Sequence, residues 1–172
     1  MDMQEKVVDG FRFMPPTLRA WLGRDIPEAD FLGEIPWTAL KKPLSQTMFS
    51  LMTSAGISLK TDPPFDMERE KREPFWGDPS HREIPRGTSQ DRIDVNHLHI
   101  DTGFIREDIN VMLAIDRFAE FEREGVIGGL VPTCYSFYGY QHDITTLLET
   151  TMPVVSSKML EEGVDAVVLT PA

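Results

Sequence analysis

The 172-residue chain has one cysteine, Cys134, so it cannot form an internal disulfide, a Cys-x-x-Cys dithiol or a zinc ribbon. Basic residues are scarce, with 17 Lys and Arg against 28 Asp and Glu, and the formal net charge is −11. Such a chain repels a phosphate backbone, which excludes nucleic acid as its main partner. No apolar run approaches the ~20 residues that span a bilayer. Met1 to Met14 is broken by Asp2, Glu5, Lys6, Asp9 and Arg12, unlike a signal or transit peptide. The expectation is a cytoplasmic protein with no membrane contact. No internal repeat is visible, and Gly125, Gly128 and Gly129 do not form Gly-x-Gly-x-x-Gly at the start of a helix, so dinucleotide and Walker-type sites are excluded.

What is present is enough for a core: 41% hydrophobic residues, including ten Phe, three Tyr and three Trp, in a length suited to one domain. Residues 1–45 are punctuated by Pro15-Pro16, Pro27, Pro36 and Pro43 and read as an irregular proline-rich N-terminal arm. Within it Thr17 to Leu22 suits a short helix ended by Gly23, and Trp21, Phe31, Ile35 and Trp37 are candidate docking anchors. Residues 46–172 read as an α/β domain. Thr47 to Leu59 is strand-like with an interruption at Gly56, and residues 67–90, with Pro74, Pro79 and Pro85, read as one long charged loop. Val95 to Ile100 suits a strand, Ile109 to Glu124 a helix stopped by Gly125, and Val126 to Val131 a strand. Asp143 to Glu162 suits a helix with a start or kink at Pro153 and a stop at Gly163, and Asp165 to Leu169 a Val-rich strand. This alternation predicts a parallel or mixed sheet with flanking helices and a site beyond the carboxyl ends of its strands. The last strand is expected to be buried, to lack a covering helix within this chain and so to favour self-association.

A strand over 95–100 would put His97, His99 and Asp101 on one face. Those groups can orient an amine or a carboxylate, because neutral imidazole donates or accepts near pH 7. They are the candidate substrate-binding residues, with Tyr135 and Ser136 as candidate pocket wall. A metal would need further ligands such as His142, and no metal site is assigned. Cys134 follows an apolar strand, but no positive charge near it in sequence would activate a thiolate, and packing is the expected role.

Three segments, Asn110-Val111-Met112-Leu113-Ala114-Ile115-Asp116-Arg117-Phe118, Glu124-Gly125-Val126-Ile127-Gly128 and Tyr135-Ser136-Phe137-Tyr138-Gly139, occur in an order that resembles the glycine/sarcosine/betaine/D-proline reductase selenoprotein B family. His97-Leu98-His99-Ile100-Asp101-Thr102 is similar to the family's histidine-and-aspartate segment, and Glu162 to Ala172 to the stretch leading into its selenocysteine. The resemblance implies a reductase component acting on the C–N bond of a small amine or amino acid. A pyruvoyl group on a partner subunit captures the amine in that family, and a selenolate or thiolate attacks the carbon bearing it. Other reductase subunits or copies of the chain are the implied partners, no cofactor is expected in this chain, and no catalytic residue is assigned in it. The family's selenocysteine or cysteine would follow Ala172, so the expected domain is incomplete at that end. Either an in-frame UGA stops the product there, or the chain is a naturally short, noncatalytic binding or scaffold subunit.

Overall fold

The computed structural model describes residues 10–25 and 38–172. The chain divides into two compact units, 1–38 and 39–172, where the sequence suggested a boundary at 45. In the first, a 3-10 turn over Gly10–Phe13 precedes helix α1, Pro16–Asp25. Proline at the first helical position has no amide hydrogen to leave unpaired. The helix runs through Gly23 rather than stopping there. Of the candidate anchors, Phe31, Ile35 and Trp37 lie outside the described residues, as does the side chain of Trp21.

The second unit is an α/β fold around a mixed five-stranded sheet. Its centre is β1, Met48–Thr53, whose residues are nearly all buried. Along one side β1 pairs in parallel first with β5, Gly129–Leu130, then with β6, Thr133–Phe137. The two pieces are short because Pro132 between them has no N–H to give to the ladder. On the other side β7, Ala166–Thr170, runs parallel to β1 from Phe49↔Ala166 to Thr53↔Thr170. The remaining strand, β3 (His81–Pro85), is antiparallel to β6. A separate antiparallel pair joins β2, Ile57–Leu59, to β4, Ile93–Val95.

Alternation along β1 and β6 sends residues to two cores. Phe49, Leu51, Leu130 and Cys134 pack with Ile57, Ile84, Val95 and Ile115 on one face. Met52 and Tyr135 pack with Val155 and Met159 on the other. The first face is closed by α4, Ile115–Arg123, with Phe118 edge-on to Phe49 at 5.5 Å between ring centres. The second is closed by α5, Met152–Glu161. Each fully buried side chain of this size contributes about 1.5–3 kcal/mol. The expected stops hold: Gly125 and Gly163, at φ 71° and 75°, end α4 and α5, and Val126 and Val164 donate back to Phe121 and Met159 in the Schellman pattern.

Several expectations are corrected. The charged stretch 67–90 is not one loop, since it contains helix α2, Met67–Arg72, and β3. Asp66 caps α2 by accepting from the Arg69 amide, and Ile84 is the buried residue of β3. The helix expected from Ile109 begins at Ile115, because Asp108 and Asn110 bond nearby amides through their side chains and hold 109–111 as a 3-10 turn. The strand expected over 95–100 ends at Val95, where its pairing with β2 stops. Beyond Asn96, the His99 amide donates to His97 Nδ1 instead of to a ladder. Finally, β7 forms as expected but is not buried: it is an edge strand, with Val167 40% and Leu169 66% exposed on the side that α5 leaves open.

Candidate functional site

Strands β1, β6 and β7 all end at the same edge of the sheet, and Ser54 ties those ends together. Its amide donates to the Thr170 carbonyl, its carbonyl accepts from Gly139, and its hydroxyl accepts from the Ala172 amide at 2.9 Å. Against this junction lies a crevice of about 290 Å³ lined by Met52, Ser54, Phe137, Leu169, Thr170 and Pro171. Its walls are apolar apart from the two hydroxyls, which suits an uncharged group and disfavours bare ions. This is the carboxyl-end position at which open α/β sheets bind ligands.

Immediately past β6, an imidazole-aromatic cluster forms. Ala55 bridges to Tyr138, and the Gly56 carbonyl accepts from the Asn96 amide, which brings the turn 96–101 over the strand end. His97 packs on buried Tyr138 with ring centres 4.6 Å apart, and His99 stacks on Tyr140 at 4.0 Å and 31°. The two imidazoles are perpendicular at 6.0 Å. Burial, reinforced by His99, pulls the His97 pKa down to about 4 and keeps that ring neutral at pH 7. His99 Nε2 lies 2.5 Å from Glu70 Oε1 of α2. Burial, and then the adjoining Glu70 carboxylate, hold the Tyr138 phenol well above its usual range.

His97 and His99 thus come together, by a turn instead of by strand alternation. Asp101 is exposed and accepts from the Gly103 amide at 2.9 Å, at the start of α3, Gly103–Glu107. Tyr135 and Ser136 are fully buried within the sheet. Tyr135 packs under α5, where burial and the Glu162 and Glu83 carboxylates push its phenol up to about 12. Ser136 Oγ accepts from the Ile57 amide at 2.8 Å and fixes the turn between β1 and β2. Reading the sequence for motifs missed Glu70 and Tyr140. Glu70 sat in a run of charges with no sign that α2 would turn it inward, whereas Tyr140 continued the aromatic run that included Tyr135 and Tyr138.

Residues 25–172 match the family model for glycine/sarcosine/betaine reductase selenoprotein B. The chain belongs to that family. It is also 36% identical over 134 residues to the D-proline reductase subunit gamma of Acetoanaerobium sticklandii. The match covers 78% of this chain and 52% of that protein, so the chain spans about half the length of the relative. No solved structure matches it. Membership makes the state of the sulfur important, since the family is named for a selenoprotein. Cys134 is fully buried, and desolvation pushes its thiol up to about 12. Native protein is therefore expected to react with a disulfide reagent at pH 7 at least on the order of 100-fold more slowly than the denatured chain, because so little thiolate forms. Equal rates in the two states, followed by absorbance of the released thiol, would show that the side chain is open.

Among the described residues no group of three or more His, Cys, Asp or Glu side chains is placed to hold a metal ion, and no helix is long and apolar enough to cross a membrane.

Proposed function

We propose that the chain is a substrate-binding component of a cytoplasmic selenocysteine- or cysteine-dependent reductase that cleaves the C–N bond of a small amino acid, with D-proline the first candidate. The observation that carries this reading is the meeting of His97 and His99 in one imidazole–aromatic cluster with Tyr138 and Tyr140, just past the carboxyl end of β6. Its support is membership in the reductase family together with the relative named as a D-proline reductase subunit. The burial of Cys134 favours a binding role for these residues, with the attacking selenolate or thiolate supplied from elsewhere in the complex.

A pyruvoyl group of a partner subunit supplies an electrophilic carbonyl for the substrate amine, and the crevice's apolar walls and hydroxyls fit such an uncharged group. The work of this chain is to receive and orient the amino acid. Neutral His97 offers a hydrogen bond without competing charge. His99 faces the ammonium. Asp101, Tyr135 and Ser136 act behind them, by fixing α3 and the floor of the sheet. The apolar walls exclude water from the carbon under attack.

The test is reconstitution of the chain with the other reductase subunits and a dithiol, measuring conversion of D-proline to its ring-opened ω-amino acid. Glycine, sarcosine and betaine serve as competitors. Turnover that requires this chain is the expected result, with a His97→Ala, His99→Ala double variant raising KM by at least about tenfold, as loss of binding contacts does. Full activity of the remaining subunits without the chain would refute the reading.

A further inference from the structure

Glu70 is 2% exposed, the most deeply buried carboxylate described. Its Oε1 meets His99 Nε2 at 2.5 Å, and the carboxylate adjoins the buried hydroxyl of Tyr138, whose pKa it helps to raise. A carboxylate held this far from water is unfavourable without polar partners, and the groups against it here are the His99 imidazole and the Tyr138 phenol. The placement of Glu70 is itself well supported. Its helix is capped by Asp66, whose own amide donates to Asp78, and Arg69 lies over the Trp76 ring at 4.2 Å. His99, in contrast, has a side chain that is 45% exposed, and its ring is stacked on Tyr140.

We propose that Glu70 is the positioning residue of a carboxylate–imidazole pair in which His99 accepts a proton from the ammonium group of the substrate. The proposal rests on the reading of the 97–99 turn as the substrate-binding segment. Glu70 accepts from Nε2–H, which fixes the tautomer and leaves the Nδ1 lone pair as the proton acceptor. The step is balanced: the ammonium N–H bond breaks, its electron pair stays on the amine nitrogen, and a new N–H bond forms at Nδ1. The products are a neutral amine and an imidazolium held beside the Glu70 carboxylate, and the proton then passes to solvent. An amine must be neutral before it can add to a carbonyl, so the pair supplies what a C–N-cleaving reductase of this kind needs first. His97, kept neutral by burial, does not compete for the proton.

The experiment has two arms. In the reconstituted complex, His99→Gln is expected to lower kcat/KM for D-proline on the order of 100- to 10,000-fold, the range for loss of a general base. Glu70→Gln should lower kcat with little change in KM. In the chain alone, long-range ¹H–¹⁵N spectra should show His99 protonated at Nε2 when neutral, and Glu70→Gln should turn this into a mixture of tautomers. Glu70→Asp, which keeps the charge but withdraws the oxygen from Nε2, covers the case in which the Gln variant does not fold, and should give the same mixture. Folded variants with unchanged kcat and an unchanged tautomer would overturn the proposal while D-proline turnover by the parent complex left the broader reading intact. A parent complex inactive on every amine would refute the broader reading, and the tautomer spectra alone would then decide the pairing.

Discussion

Replacing Gly77 by alanine is expected to disrupt the fold around the imidazole cluster more severely than loss of any surface contact. A Cβ at this position would lie 1.7 Å from the Tyr140 carbonyl oxygen and 2.9 Å from its carbon, a clash with backbone that no rotamer relieves. Neither side can retreat cheaply. The Tyr140 hydroxyl donates to Pro74 at 2.7 Å, the Gln141 amide group donates to Asp78 at 2.7 Å and to Tyr138 at 3.0 Å, and the Thr151 hydroxyl donates to Pro79 at 2.6 Å. Moving the chain breaks several of these bonds at once, so the cost should exceed about 3 kcal/mol. For a domain of this size that lowers the melting temperature by roughly 6–12 °C. Near-ultraviolet circular dichroism should lose the Tyr140 and Trp76 signals together. A variant that melts with the parent and keeps those signals would mean that Gly77 and Tyr140 are not in contact.

The second large effect concerns acid. His97 has an ordinary pKa of 6.5 and a folded value of about 4. Between those two values the unfolded chain binds a proton that the folded chain does not, so unfolding gains as pH falls. Stability is therefore full above pH 6.5 and declines down to about pH 4, with burial as the main cause and the neighbouring His99 as the second. Allowing for solvent screening of a partly exposed ring, the loss is on the order of 1–3 kcal/mol. Urea unfolding at pH 7 and pH 4.5 measures it, and a His97→Gln variant should show a flatter dependence than the parent. Parallel curves for the two proteins would place the pH sensitivity elsewhere, for instance at His81, whose pKa burial also lowers.

Much of the architecture could be read from hydrophobic runs and stops. β1, β7, α4 and α5 each carry an apolar pattern long enough to declare itself, and Gly125 and Gly163 mark the ends of the two helices. What escaped was structure made by polar residues. In α2, the sequence Met67-Glu68-Arg69-Glu70-Lys71-Arg72 gives no amphipathic signal, and the helix is held by a cap and by the pairs Lys71–Glu68 and Arg69–Glu73. In β3, only Ile84 is buried, so pairing with β6 decides the strand where alternation could not. The site shows the same division. His97 and His99 were picked out by residue type, and they do meet, but Glu70 comes from a segment 29 positions away from His99 that only tertiary packing brings in.

The π-helical turn at Leu147–Thr151 has a consequence for how the family can vary in length. The buried residues of this region, Leu147, Thr151, Val155 and Met159, recur every fourth position, whereas an α-helix repeats every 3.6. A row of that spacing drifts around an ordinary helix and would carry Leu147 away from the sheet. The wider turn, closed by the Met152 amide donating to Leu147, winds the row back just before Pro153, which has no amide to give. One extra residue has in effect been absorbed without rotating α5. Relatives should therefore tolerate a single-residue deletion between Leu147 and Thr151 far better than one between Val155 and Met159, where the same loss would swing the sheet-facing row by about 100° and turn Met159 into solvent.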